Sequence, residues 1–209
     1  MPASAEEINL AAADLAQGGV VAFPTETFYG LAVNPSVSGA LASLFALKQR
    51  DPAKPVLILI DQPSRLGELV GAVPPLYEIL MARFWPGPLT LIFPARAALP
   101  AGLQDKQGTI GIRLSSHPLA RKLAAAAGGM ITGTSANPSD TPAAVNAEQV
   151  RGAFPTGLAR ILDGGQTPGG LGSTIVAETD GQLHLLRAGV LPFAEILAAV
   201  AAAEYPTLT

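Results

Sequence analysis

Short apolar runs separated by helical patterns dictate the architecture open to this chain. Val20–Phe23, Phe28–Val33, Val56–Ile60, Leu89–Phe93, Thr109–Leu114 and Met130–Thr134 are each bounded by turn residues and rich in strand formers. Between them, Gly39–Leu47, Leu76–Phe84 behind Pro74-Pro75, and His117–Ala127 ahead of Gly128-Gly129 read as helices. At the N-terminus, Ser4 followed by Glu7 forms a capping-box pattern. Ile8, Leu10, Ala11 and Leu15 then recur at helical spacing until Gly18-Gly19. Ile161-Leu162, Ser173–Ala177 and Leu183–Arg187 add late strands, and Phe193–Ala203 a closing helix. This alternation predicts an α/β fold, a twisted mixed β-sheet flanked by helices. Residues 1–209 are expected to form a single domain with its core at about 4–203, since no repeat or composition shift marks a boundary. The glycine-rich stretch Gly164–Gly172 is either a hinge or lid over a ligand, or a surface turn.

Composition narrows the function classes. Hydrophobic residues make up 49% and charged ones 14%, enough to bury a core and too few charges for disorder. With 13 Lys plus Arg against 16 Asp plus Glu, the net charge of -3 argues against a surface that binds nucleic acid by phosphate neutralisation. The absence of cysteine excludes a disulfide framework, a thiolate nucleophile and a cysteine zinc site. Residues 1–9 carry Glu6 and Glu7 and no basic segment ahead of an apolar one, unlike a secretory signal. Apolar runs are too short to span a membrane, and a cytoplasmic location is expected.

Two distant polar segments carry the chemistry. Lys48-Gln49-Arg50 is expected in a loop before the buried run Val56–Ile60. There Lys48 would be a mobile point charge and Arg50 a planar fork aimed at a polyphosphate; a solvated loop beside Asp51 and Lys54 is the alternative. Ser135 and Asn137 offer a hydroxyl and an amide at a strand end, or simply a turn that ends the strand. A serine nucleophile is disfavoured, because the segment lacks the second glycine of a nucleophile elbow. Alternation along Thr109–Arg113 puts Thr109, Gly111 and Arg113 on one face, where the arginine needs an anion. That anion is a ligand, or an internal carboxylate such as Asp105 or Asp163. His117 and His184 lie far apart, a weak metal signal, and His117 at a helix entrance reads as structural. His117 is nonetheless one candidate general base and Glu26 a second, and no acidic cluster has two-metal or EF-hand spacing.

The segments Gly18–Leu31, Lys48-Gln49-Arg50, Trp85-Pro86-Gly87-Pro88-Leu89-Thr90, Ile112-Arg113 with His117-Pro118, Thr134-Ser135-Ala136-Asn137-Pro138 and Gly172-Ser173-Thr174-Ile175 stand in one order over nearly the whole chain. In that series the chain resembles the YrdC/Sua5 family of threonylcarbamoyl-AMP synthases, in its short, single-domain form. The resemblance implies a YrdC-like fold and an L-threonylcarbamoyladenylate synthase. Such an enzyme turns L-threonine, bicarbonate and ATP into threonylcarbamoyl-AMP and pyrophosphate, the first step of tRNA t6A37 modification. It further implies catalytic roles for Lys48 and Arg50, and ATP contacts from Lys48, Arg50, Thr109, Ser135, Asn137 and Arg187. Threonine contacts would come from Thr25, Arg113, Gly133 and Ser173. Mg2+ would be bound mainly through ATP. The partners would be downstream threonylcarbamoyl-transfer proteins acting on tRNA, with weak tRNA binding possible and no membrane. Read without the resemblance, Thr25 and Ser173 are turn and strand hydroxyls and Arg187 a surface charge.

The chain departs from the family at Ala143, where many relatives carry serine, and in Lys54–Ile58, which leaves part of the threonine side open. Two competitors stand beside the synthase. One is a double-stranded RNA- or tRNA-binding module of the same fold without adenylation. The other is a carbamoyl-adenylate-forming relative like the equivalent domain of hydrogenase-maturation carbamoyltransferases. The chain stops at Thr209, so closure of the site would fall to the N-terminal segment or the Gly164–Gly172 loop.

Overall fold

A computed structural model describes residues 3–96, 99–100 and 102–204; the chain end at Thr209 lies outside the described residues. The strands are β1 (Val21–Pro24), β2 (Tyr29–Ala32), β3 (Leu57–Ile60), β4 (Leu89–Pro94), β5 (Thr109–Arg113), β6 (Met130–Ser135), β7 (Arg160–Ile161), β8 (Thr174–Thr179) and β9 (Gln182–Arg187). They form one mixed sheet in the order β7-β1-β2-β6-β3-β5-β4-β8-β9. The β1–β7, β3–β5 and β4–β8 pairs are parallel and the other neighbours antiparallel.

Side-chain alternation splits the strands between two cores, as a pleated strand requires. Ile58 and Ile60 join the cluster packed with Leu44, Tyr77, Leu80 and Ile196, whereas Leu59 between them joins Ile8, Leu15, Leu119 and Leu123. The first cluster brings in helices α2 (Ala40–Lys48), α4 (Pro75–Phe84) and α7 (Phe193–Glu204); the second brings in α1 (Ala5–Ala16) and α5 (Pro118–Ala126). No helix among the described residues is long and apolar enough to cross a membrane.

The N-terminal capping box forms as expected. Ser4 Oγ accepts from the Glu7 amide at 3.2 Å, and the Ser4 amide donates to Glu7 Oε2 at 2.7 Å. The short α3 (Leu66–Leu69), preceded by a 3-10 turn at Pro63–Arg65, and α6 (Ala147–Ala153) were not legible as helices. For α6 the signal was present. Asn146 Oδ1 accepts from the Gln149 amide at 2.8 Å, while Gln149 Oε1 accepts from the Val145 amide at 2.8 Å. Asn146→Ala should cost about 1 kcal/mol through loss of this cap, read as a lower urea midpoint at unchanged slope.

Candidate active site

Helices α1 and α5 cover only part of their face of the sheet. Over the remainder lies a cavity of about 580 Å³, within the range of small-molecule sites. Its wall takes Phe23, Gly30, Leu57, Leu59, Thr90, Ile92, Gly111, Gly133 and Arg187 from seven of the strands. The ligand space therefore lies over the sheet face and is not confined to the strand ends. Glycines keep that floor low. A Cβ at Gly133 would sit 2.9 Å from Leu59 Cγ, and one at Gly111 would meet Leu57 Cβ and Ile92 Cδ1 at 3.4 Å.

Three arginines face this space: Arg50 after α2, Arg113 at the end of β5, and Arg187 at the end of β9. Arg50 donates from Nε to the Lys54 carbonyl and from Nη2 to the Pro55 carbonyl, both at 2.9 Å. Those bonds fix the plane of the fork, and burial lowers the guanidinium pKa. Arg187 is exposed as a residue, yet its partly buried guanidinium is tied to Ser173, with Nη2 2.8 Å from the carbonyl and 3.0 Å from Oγ. Its pKa is lowered first by burial and then by the charges of Arg113 and Arg50. Such mutual repulsion marks a place that a polyanion would relieve.

Arg113 has a partner that the sequence reading did not name. Its Nη1 lies 3.2 Å from Glu26 Oε1, with both side chains largely buried. The two earlier candidates are used elsewhere: Asp105 accepts from Thr109, and Asp163 from the Gly165 amide. Burial lowers the Arg113 pKa and Glu26 offsets part of that. Arg113 Nε is buried without a hydrogen-bond partner among the described residues, a donor left for something else. Glu26 also accepts from Ser115 Oγ and stands behind Arg113, outside the cavity lining, which does not suit a general base. His117 caps α5, its Nδ1 accepting from the Leu119 amide at 3.2 Å, in keeping with a structural role.

Lys48 differs from the mobile loop cation expected. It is the last residue of α2, is 2% exposed, and lies outside the cavity lining. Its ammonium donates to the carbonyls of Ser135 and Asn137, the latter at 2.6 Å, and reaches Asn137 Oδ1 at 3.5 Å. The two distant polar segments thus meet, through a buried charge that fastens one to the other. Burial, and then the charge of Arg50, lower the Lys48 pKa to about 8. The segment leaves α2 through Gln49, whose φ of 51° is left-handed.

Of the remaining expected site residues, Ser135, Gly133, Thr25 and Ser173 line the cavity. Thr25 also donates to the Phe28 carbonyl at 2.7 Å, shaping the turn between β1 and β2. Asn137 does not reach the lining; its Nδ2 donates to the Thr141 carbonyl and closes its own loop. Thr109 is likewise outside, because the Asp105 turn captures its amide and hydroxyl, both at 2.8 Å. Ala143 lines the cavity with no hydroxyl to offer. The glycine-rich stretch is pinned: the Tyr29 hydroxyl donates to the Gly165 carbonyl at 2.8 Å, and the Gly169 amide to Thr27 at 2.8 Å. Its Gly170–Gly172 end forms cavity wall. Thr90 and Gly30 also line the space without having been singled out, although both stand in segments that carried the family resemblance.

A sheet face bearing three arginines and several hydroxyls around a ligand-sized cavity offers chemistry suited to small, multiply charged anions. The chain belongs to the Sua5/YciO/YrdC family, whose model, described as "Telomere recombination", matches residues 13–189. It is 37% identical over 190 residues to the threonylcarbamoyl-AMP synthase of Pyrococcus abyssi, covering 91% of this chain and 56% of that relative. To the threonylcarbamoyl-AMP synthase of Alkalilimnicola ehrlichii it is 41% identical over 160 residues, 75% of this chain and 83% of the relative. The crystal structure of P. abyssi Sua5 complexed with L-threonine superposes with a TM-score of 0.88 at 36% identity, covering 92% of this chain and 56% of that one. The chain thus spans little more than half the length of the Pyrococcus relative.

Proposed function

We propose that this chain is an L-threonylcarbamoyladenylate synthase: L-threonine, bicarbonate and ATP give threonylcarbamoyl-AMP, pyrophosphate and water. The observation that carries this reading is the convergence of Arg50, Arg113 and Arg187 on one cavity whose wall also holds Ser135 and Ser173. The threonine complex of the Pyrococcus relative supports it. In this reading Arg113 takes the threonine carboxylate, with its fork held from behind by Glu26. Arg50 and Arg187 hold the triphosphate, and Ser135 donates to a phosphoryl oxygen. Lys48 acts by fastening the Ser135–Asn137 segment in place. The carbamate formed from threonine and bicarbonate attacks the α-phosphorus; the bond to the β,γ-diphosphate breaks, and the departing charge stays within the field of the arginines. The chain has no cysteine, and this step needs no covalent protein nucleophile.

Mg2+ enters as part of the ATP substrate. Among the described residues no group of three or more His, Asp or Glu gathers to hold a metal, and Glu26 is taken up by Arg113 and Ser115. The product would pass to threonylcarbamoyl-transfer proteins acting on tRNA, in the cytoplasm. A cavity of about 580 Å³ is scaled to a nucleotide and an amino acid, which disfavours the RNA-binding module.

With MgATP, bicarbonate and L-threonine, the protein should release pyrophosphate, and omitting threonine or bicarbonate should abolish the release. Release that persists without threonine would point to a different acceptor, and no release under any condition would return the binding-module reading.

A further inference from the structure

The Trp85–Thr90 segment holds two site strands together. The Gly87 amide donates to Leu114 at 2.8 Å, beside Arg113, and the Thr174 amide donates to Pro88 at 2.9 Å, beside Ser173. Its last residue, Thr90 on β4, is 1% exposed, and its Oγ1 lies 2.8 Å from Ser173 Oγ. The Thr90 methyl group is turned toward the cavity floor, 3.5 Å from where a Cβ on Gly111 would stand. β4, β8 and β9 are adjacent strands, and Thr90 on β4, Ser173 just ahead of β8 and Arg187 on β9 form a short hydrogen-bonded row.

Donor and acceptor bookkeeping gives that row a direction. A guanidinium can only donate, so the 3.0 Å contact from Arg187 Nη2 fills one lone pair of Ser173 Oγ. Among the described residues, Thr90 Oγ1 has Ser173 Oγ as its hydrogen-bond partner and no other. Either hydroxyl could donate across that contact; with the Thr90 methyl group turned to the cavity floor and Ser173 lining the cavity, the donation is assigned to Thr90, and the second lone pair of Ser173 is filled as well. Ser173 Oγ, accepting twice, keeps its own proton for the cavity that it lines. We infer that Thr90 is a positioning residue that makes Ser173 a donor-only group toward the ligand. Ser173 then recognises an acceptor oxygen, carboxylate or phosphoryl, and rejects an ammonium or amide N–H at that point. The inference rests on the proposed function only for the identity of the ligand.

Calorimetric titration with two probes, L-threonine and inorganic pyrophosphate, tests it on wild type, Thr90→Val, Thr90→Ser, Ser173→Ala and the Thr90→Val/Ser173→Ala pair. Thr90→Val should bind one probe about tenfold more weakly, and Thr90→Ser should restore binding to within about twofold. The double variant should be no weaker than Ser173→Ala alone, since both changes remove one donor. Weakening confined to threonine assigns the donor to a carboxylate, and weakening confined to pyrophosphate assigns it to a phosphoryl group. Thermal unfolding of each variant separates lost orientation from lost folding, and Thr90→Ser keeps the comparison informative if Thr90→Val unfolds. Wild-type affinity in Thr90→Val, or failure of Thr90→Ser to restore it, overturns the inference. Wild type binding neither probe overturns it together with the synthase reading. Weakened probe binding in a protein that releases no pyrophosphate would sink the synthase reading alone.

Discussion

Lys48→Ala should lose stability and ATP affinity together. The ammonium is almost fully buried and bonded to the Ser135 and Asn137 carbonyls. Removing it leaves those acceptors without their charged donor and opens a void at the end of α2, worth about 3 kcal/mol by the usual cost of breaking such a buried arrangement. The Ser135 segment then loses its anchor, and ATP affinity should fall on the order of tenfold or more even though the lysine does not line the cavity. Lys48→Met, which keeps the bulk, should recover part of the stability and none of the ATP affinity. The pH dependence has a definite sign. The folded protein releases this proton near pH 8, below the ordinary lysine value, so between those limits the unfolded chain binds more protons. Wild-type stability relative to Lys48→Met should therefore rise as pH climbs from about 8 toward 10.5, and that advantage is lost as pH falls through 8. Urea unfolding across that window, with ATP calorimetry at pH 7, checks both parts. A Lys48→Ala protein as stable as wild type with unchanged ATP binding would show the fastening to be dispensable.

Arg113→Ala should strike threonine far harder than ATP. Its buried guanidinium is paired with Glu26 and holds an Nε without a hydrogen-bond partner among the described residues. Truncation removes the planar fork and leaves Glu26 buried without its cation. We expect threonine affinity to drop about a hundredfold, roughly 3 kcal/mol. The apparent KM for ATP should move only slightly, because Arg50 and Arg187 remain. Arg113→Lys restores the charge without the fork and should recover only part of the loss. Threonine titration and pyrophosphate release at saturating ATP measure these effects; intact threonine affinity in Arg113→Ala would remove the role given to this arginine.

The long elements were legible because they are locally redundant. The strand at Val56–Ile60 carries an apolar run between breakers, and the helix at His117–Ala127 a pattern, breakers and a cap within a few residues of one another; the structure forms β3 and α5 there. Helix α6 escaped because seven residues give too little periodicity, although the Asn146–Gln149 cap was in plain view. Among site residues, those whose type announces a charge, such as Arg50 and Arg113, stood out from an apolar background. Thr90 and Gly111 did not, since a threonine or a glycine in a strand has many uses.

Local pattern was enough to mark the long strands and helices, and to pick Lys48, Arg50 and Arg113 out of an apolar chain. Period, capping and breaker residues act over a few positions and need no partner. The use made of the chain's polar groups emerged with the three-dimensional arrangement: Lys48 turned inward onto two carbonyls, Arg113 backed by Glu26, and the Thr109 hydroxyl taken by Asp105. The physical reason is that a buried charge or hydroxyl must find a partner through space. Which one it finds depends on strand order and register, which bring Glu26 to Arg113 and Ser135 to Lys48 across long stretches of chain.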